Sequence, residues 1–577
     1  MTNKRREELQ AIVAEFSCDR MRMLDILHEA QKSRGYVSDE DAVALAEFLK
    51  CSPADISEVV SFYHFFNSKP SGQTRIYLDD SIIARHAGYE QIKAAFEKEL
   101  NVKIGQATED GNFGLYATSC IGLSDQAPAA LIGGTAFPSL KVEEVPQIIQ
   151  RIKNGEELSQ IAKKIESNLI KLGPVFGTQL SEQLVVERIK QMNSLEIIES
   201  IKQSGLRGRG GAGFSTGKKW ESCAQVKAET RYVVCNADEG EPGTFKDREL
   251  LRNFAGWVLT GMRAAGKAIK AQEGIIYLRA EYEYLKQSLE KSIADLQAHP
   301  NWGDFAIRVQ IGAGAYVCGE ESALLESLEG KRGEPRLRPP FPVERGYKSA
   351  PTVVNNVETF AQAAWILQNG AEKFAALGTE RSKGTRLLSI SGDVAKPGIY
   401  EIEWGATVKE ILHECRAQDP HIVQVGGPSG ICISMNEQER KICFEDLPTG
   451  GSFMVFSKKR SLFEILENFM SFFVRESCGN CTPCRAGNVY LRDLVLKFKS
   501  NQAFPADLVK LENWSKIVSQ TSRCGLGVSA PNVLTTSLSA FPEIYNQALA
   551  APQDPLIYPF DEARATSPHE NAARNLK

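Results

Sequence analysis

Three cysteines, Cys478, Cys481 and Cys484, crowd into the run ESCGNCTPCRAG, and a fourth, Cys524, follows in SRCGLG. Two-residue gaps let three thiolates face one corner of a cubane, and a thiolate from a distant turn closes it, so the pattern points to a 4Fe-4S cluster. A structural zinc more often draws on two paired C-x2-C knuckles, and unligated structural thiols are the blander alternative. For any shared ligand the four must converge, so the chain around them has to fold as one unit. The thirteen cysteines are otherwise too scattered for a disulfide scaffold, which leaves metal or redox chemistry for the clustered ones.

At 577 residues the chain is several times the usual domain length of ~100–200 residues, which predicts three or four domains. Charged residues make up 24% and hydrophobic ones 42%, which excludes a disordered or collagen-like chain. The 68 Lys+Arg against 72 Asp+Glu supply no basic footprint, so nucleic acid is not expected as a partner. The N-terminal MTNKRREELQAIVAEF lacks a signal-peptide core, and no run of ~18 apolar residues occurs. A cytoplasmic protein with no direct membrane insertion is expected.

Apolar spacing predicts a multidomain α/β and α+β chain. Residues 1–72 read as helical, with three short helices between Arg22 and Phe66, and 73–155 as a small α/β layer. Residues 156–195 read as a connector and 196–370 as a larger α/β domain with three Gly-rich loops. A hairpin turning at Lys396-Pro397-Gly398 opens a β-rich domain over 384–458. Residues 460–550 are helical in period and carry the cysteines, and 551–577 form a polar tail.

The run GLRGRGGAGFSTGKKW formally contains G-x-G-x-x-G at Gly208, Gly210 and Gly213, but helical rather than strand periodicity precedes it, so it is no Rossmann fingerprint. Walker A fails as well, because Lys218 is followed by Lys219. What remains is a phosphate cradle of backbone N–H groups, with Arg209, Lys218 and Lys219 adding charge, or a flexible turn. Two further loops carry carboxylates: CNADEGEPGTFKDR, with Asn236, Asp238, Glu239 and Glu241, and AYVCGEES, with Tyr316, Gly319, Glu320 and Glu321. The acidic loop suits ribose or flavin hydrogen bonds, a magnesium ion, or plain solvation. The seven histidines lie too far apart in sequence to suggest a site.

Together with PTVVNNVET and PRLRPPFP, these strings make the chain from about 173 to 549 resemble the NADH-oxidising flavoprotein subunit of respiratory complex I and related dehydrogenases. The resemblance implies an FMN-binding domain, a ubiquitin-like β-grasp domain and a cluster-bearing helical bundle. It implies FMN held by Gly208, Arg209, Gly210, Gly211, Lys219, Asn236, Asp238, Glu239, Tyr316, Gly319, Glu320, Glu321, Asn355, Asn356 and Thr359. NAD(H) as substrate would stack near Phe214, with Glu239, Glu241, Glu321, Arg338 and Phe341 around it, and Glu241 and Glu321 are the candidate catalytic residues. Arg338 stands where other members carry Lys, a change from a point charge to a planar fork.

Residues 1 to about 155 resemble the thioredoxin-like 2Fe-2S subunit of the same enzymes, whose cluster is held by C-x4-C and C-x3-C. Here those positions fall on about Asp79 and Ala84, then Cys120 and Ser124. One thiolate remains, so no 2Fe-2S cluster is expected, and Asp79 is the one oxygen ligand that could rescue it. This fusion is most similar to the large diaphorase subunits of cytoplasmic NAD-reducing nickel–iron hydrogenases. Their partners would be a small ferredoxin-like Fe-S diaphorase subunit and the hydrogenase large and small subunits. Complex I, NAD-dependent formate dehydrogenase, and a non-catalytic nucleotide-binding scaffold are the alternatives.

Overall fold

The structure, a computed structural model, describes residues 1–550; the expected tail lies outside the described residues. The first unit is helical: Asn3–Glu15, Met23–Lys32, Asp39–Leu49 and Pro53–Phe62. Capping boxes start two of these helices, Ser38 with Asp41 and Ser52 with Asp55, each satisfying amides that a helix leaves open. A five-stranded sheet follows, with Thr74–Asp79 central, parallel to Phe113–Thr118 and antiparallel to Ala130–Ile132. Helices Tyr89–Leu100 and Val145–Lys153 bury Ile92, Phe96, Val145 and Ile149 against Ile76, Leu78 and Leu115.

The third unit is built on four parallel strands in the order Thr352–Asn356, Tyr232–Ala237, Glu273–Leu278, Ala306–Ile311. Its strands are nearly all buried, as a parallel sheet covered on both faces requires. Helices Ala255–Ile269 and Val357–Asn369 pack closely: a Cβ on Gly261 would lie 2.0 Å from Phe360 O. Chain order runs outward from Tyr232–Ala237 in one direction and then returns to add Thr352–Asn356 on its other side. That reversal opens a crevice at the carboxyl ends of these two strands, the usual place for a ligand in an open α/β sheet.

A six-stranded sheet carries the hairpin Thr385–Gly392/Gly398–Glu403 in antiparallel register. Its last strand, Leu169–Lys171, comes from the segment expected to be a connector. Three residues pairing with a partner so distant in sequence leave no local periodicity to read. Helices Leu462–Glu476, Thr482–Lys499, Pro505–Thr521 and Asn532–Ala540 form the last unit. Its core residues Leu466, Phe469, Leu491 and Val518 are continuous with Leu24, Leu45 and Val59 of the first.

Candidate functional site

A cavity of about 890 Å³ occupies the crevice, within the usual range for small-molecule sites. Asn236, Asn355 and Asn356 reach it from strand ends, Gly319, Glu320 and Glu321 from the turn into helix Glu321–Leu328, and Gly208, Gly210 and Phe214 from the loop before helix Thr216–Gln225. A Cβ on Gly208 or Gly210 would make only ordinary contacts, at 3.4 Å or more, so the backbone here is not crowded by its neighbours. Lys219 Nζ is held between Glu321 Oε2 (2.8 Å) and Val354 O (3.1 Å). Arg338 lies 3.4 Å from Glu320 and 3.8 Å from Glu321. Nearby, Asp238 Oδ2 is buried without a hydrogen-bond partner, and burial pushes its carboxyl well above the usual range. Glycine backbone, a lysine and an unsatisfied carboxyl fit the phosphate and polar groups of FMN.

Several expected residues sit behind this lining. Arg209 is wholly buried, donating to Gln362 Oε1 (2.8 Å) and Lys383 O (2.8 Å), and burial lowers its affinity for a proton to about 9. Its guanidinium anchors the loop and adds no charge to the cradle; the sequence does not tell which way an arginine points. Its backbone N–H donates to Thr359 Oγ1 (2.9 Å), and Gly211 has only Gly450 near its missing Cβ, at 3.9 Å. Asn355 Oδ1 accepts from Trp220 (2.9 Å), and Asn356 Nδ2 donates to Asp247 (2.6 Å). Glu239 accepts the Asp247 and Arg248 N–H groups at 2.8 and 3.2 Å, capping helix Lys246–Asn253. Burial, then the charge of Asp247, pushes its carboxyl up to about 7. Glu241 accepts the Ser429 N–H (2.9 Å) and the Tyr316 hydroxyl, tying the acidic loop to the six-stranded sheet. Of the three carboxylates expected around the nucleotide, Glu239 and Glu241 are thus engaged within the protein. Only Glu321 of the three lines the cavity, and Lys219 and Arg338 offset its charge. Phe214 and Phe341 stand at the mouth, 57% and 48% exposed, with free aromatic faces.

The four cysteines come together from separate elements. Cys481 caps helix Thr482–Lys499, Cys484 lies in its first turn, Cys478 precedes it, and Cys524 caps Gly525–Ser529. Burial pushes the Cys484 thiol up to about 12, with Cys481, Cys524 and Cys478 adding to the rise. Ser477 Oγ and Asn488 Nδ2 each lie 3.3 Å from Cys484 Sγ. Among the described residues no three His, Cys, Asp or Glu gather tightly enough for a single metal ion. Cys484 is within electrostatic reach of the other three thiols, and four thiols gathered in this way suit a shared iron–sulfur cluster. Gly525, next to Cys524, lines the cavity. Neither that shared wall nor the Arg332 hydrogen bond to Cys478 O was visible in sequence, because both join distant segments.

In the five-stranded unit, Asp79 ends one strand and Cys120 and Ser124 follow another. Asp79 accepts the Ser81 N–H (2.8 Å) and the Ile121 N–H (3.3 Å). Cys120 Sγ lies 3.4 Å from Ser124 Oγ, and burial pushes this thiol up to about 11. Ala84 is buried in the helix Ile82–His86.

The geometry thus defines a class, chains that join a flavin-type α/β cavity to a cysteine-bearing bundle, and known families tile it in that order. Residues 9–153 match the thioredoxin-like [2Fe-2S] ferredoxin family, 201–365 the Nuo51 FMN-binding domain, and 464–548 the NADH-ubiquinone oxidoreductase-F iron-sulfur binding region. The NAD-reducing hydrogenase HoxS subunit alpha of Cupriavidus necator is 46% identical, with 99% of each chain covered. The NADP-reducing hydrogenase subunit HndC of Solidesulfovibrio fructosivorans is 37% identical over 66% of this chain and 82% of its own. A crystal structure of an air-oxidised NAD+-reducing [NiFe]-hydrogenase superposes with a TM-score of 0.87 at 37% identity, covering 92% of this chain and 94% of that one. The chain belongs to the family of NAD-reducing hydrogenase alpha subunits. No helix among the described residues is long and apolar enough to cross a membrane.

Proposed function

We propose that this chain is the diaphorase subunit of an NAD-reducing hydrogenase, moving electrons between NAD(H), FMN and a 4Fe-4S cluster held by Cys478, Cys481, Cys484 and Cys524. One observation carries the reading: Gly525, adjoining a cluster thiol, lines the same cavity as the glycine cradle, so flavin and cluster would share a wall. FMN, when bound, supplies the exchange of a two-electron hydride for single electrons. The chain's own residues do the rest. Gly208, Gly210 and Lys219 hold phosphate, Asn236, Asn355 and Asn356 present amides, and Phe214 and Phe341 offer faces on which a nicotinamide nucleotide stacks. Glu321, held by Lys219 and Arg338, orients that nucleotide, and Glu241 fixes the loop behind it.

The five-stranded unit holds no 2Fe-2S cluster on this reading, and the six-stranded sheet with its helix Val408–Glu414 is a β-grasp domain. Partners are a small ferredoxin-like Fe-S subunit and the hydrogenase large and small subunits, in the cytoplasm. End-to-end coverage by the hydrogenase relative, fused first unit included, favours this over a complex I-type or formate dehydrogenase role. Purified chain should show flavin absorbance and oxidise NADH with an artificial acceptor, and the co-expressed complex should reduce NAD+ with hydrogen. A chain without flavin or NADH oxidation would leave only the scaffold reading standing.

A further inference from the structure

The loop Cys120–Asp125, where thioredoxin-like relatives hold their cluster, is bonded into the FMN-type unit. Arg248, wholly buried, donates to Gly122 O (2.6 Å) and to both Asp125 carboxylate oxygens (3.0 and 2.9 Å). Arg279, also buried, donates to Cys120 O (2.9 Å) and to Glu239 O. Gly122 has φ +75°, and a Cβ there would lie 2.1 Å from the Tyr282 hydroxyl. That hydroxyl donates to Glu239 Oε2 (2.9 Å), which caps the helix beginning at Lys246. In the first turn of that helix Asp247 accepts from Asn356 Nδ2 (2.6 Å), and Asn356 lines the cavity. Continuous hydrogen bonds and one helical turn therefore run from Asp125 to the cavity wall.

We propose that the Cys120–Asp125 loop is a positioning element for the FMN cavity: Asp125 and Gly122, acting through Arg248 and Tyr282, hold the Glu239, Asp247 and Asn356 wall in place. The inference rests on the FMN reading of that cavity. A buried guanidinium must have its charge matched, and Asp125 supplies one of two carboxylates that do so, the other being Glu249. Losing Asp125 leaves Arg248 under-compensated, and the helix turn that carries Asp247 must shift to bring it water or a new partner. A mere staple between units needs no such continuity with the ligand wall.

The test uses full-length protein freed of flavin, with FMN titrated back and followed by fluorescence, alongside thermal unfolding and the EPR signal of the reduced cluster. Asp125→Ala should weaken FMN binding by ~10-fold or more with the cluster signal intact, and Asp125→Asn, which keeps one acceptor, should recover part of the loss. Tyr282→Phe removes a single hydroxyl and should weaken FMN by roughly threefold at nearly unchanged melting temperature. FMN affinity unchanged in Asp125→Asn and Tyr282→Phe, with only the melting temperature lowered, would reduce the loop to a staple and overturn the proposal. If Asp125→Ala fails to fold, Tyr282→Phe decides alone. A wild-type chain that takes up no FMN refutes the flavin reading itself, an outcome distinct from a loss confined to the variants.

Discussion

At the C-terminal site three thiols stand at helix starts and Cys478 in the loop before them, with few bonds of their own: Ser477 and Asn488 reach Cys484, and burial makes three of the four reluctant to ionise. At the N-terminal site, Asp79 is bonded by amides on either side, Cys120 by Ser124, and the loop carbonyls by Arg248 and Arg279. One set of donors has few protein partners; the other is paired within the protein. Counting thiols distinguishes the two sites, and on the proposed reading, in which the second holds no cluster, these hydrogen bonds are what would keep its loop folded. A buried polar group costs little once it is paired, so a loop can lose metal ligands and remain ordered if neighbours take over its donors and acceptors.

The comparison breaks most visibly if the thiols are not the ligands. Cys481→Ala removes a donor whose side chain makes no capping bond, so helix Thr482–Lys499 should persist. Reduction of a partner protein should fall by ~10²-fold or more, while NADH still bleaches bound FMN in a stopped-flow trace. Normal partner reduction with an unchanged cluster signal would remove Cys481 from the ligand set. The opposite half is sharpened by Cys120→Ser, which should leave iron content at ~4 per chain and the EPR spectrum unaltered. A loss of two irons would show that the N-terminal site is occupied after all.

Much of the fold was legible because local periodicity and burial agree. The strands expected at Tyr232–Cys235 and Gly274–Leu278 fall inside Tyr232–Ala237 and Glu273–Leu278, and Val145–Lys153 read as a helix at those bounds. The cysteines were legible because spacing alone limits what they can ligate. Charge was the weak point. Arg209 and Glu239 sit in Gly-rich and acidic strings that look ligand-facing, yet Arg209 points into the domain and Glu239 caps a helix. Nor can a string reveal that Lys219 and Arg338 stand over Glu321.

That compensation makes the nucleotide preference a smaller effect than bare repulsion suggests. Two unit charges ~4 Å apart interact by ~4 kcal/mol at an effective dielectric of ~20, and two cations beside Glu321 cancel much of it. Glu321→Gln should raise kcat/KM for NADPH relative to NADH by roughly threefold to tenfold, with FMN content unchanged. An unaltered ratio would leave the preference to residues outside this group, and a ratio above ~10² would mean that Lys219 and Arg338 turn away once the nucleotide binds.

The last test concerns Asp79 and reports on whether a metal occupies its site. Burial pushes this carboxyl from 3.8 up to about 6, opposed by hydrogen bonds from Ser81 and Ile121 and assisted by the charge of Asp80. A carboxyl raised in the folded state contributes stability that is fully present below about 4 and is lost as pH rises through about 6. Asp79→Asn does not titrate. Its opening free energy, read from amide exchange in Thr74–Asp79, should therefore gain on the wild type between pH 4 and 7.5 by up to ~2–3 kcal/mol. Whatever constant penalty the amide brings through an altered bond to Ile121 drops out of this difference. A metal at Asp79 would favour the ionised carboxylate and reverse the trend, so wild type gaining on the variant as pH rises would refute the vacant site and with it the contrast between the two halves.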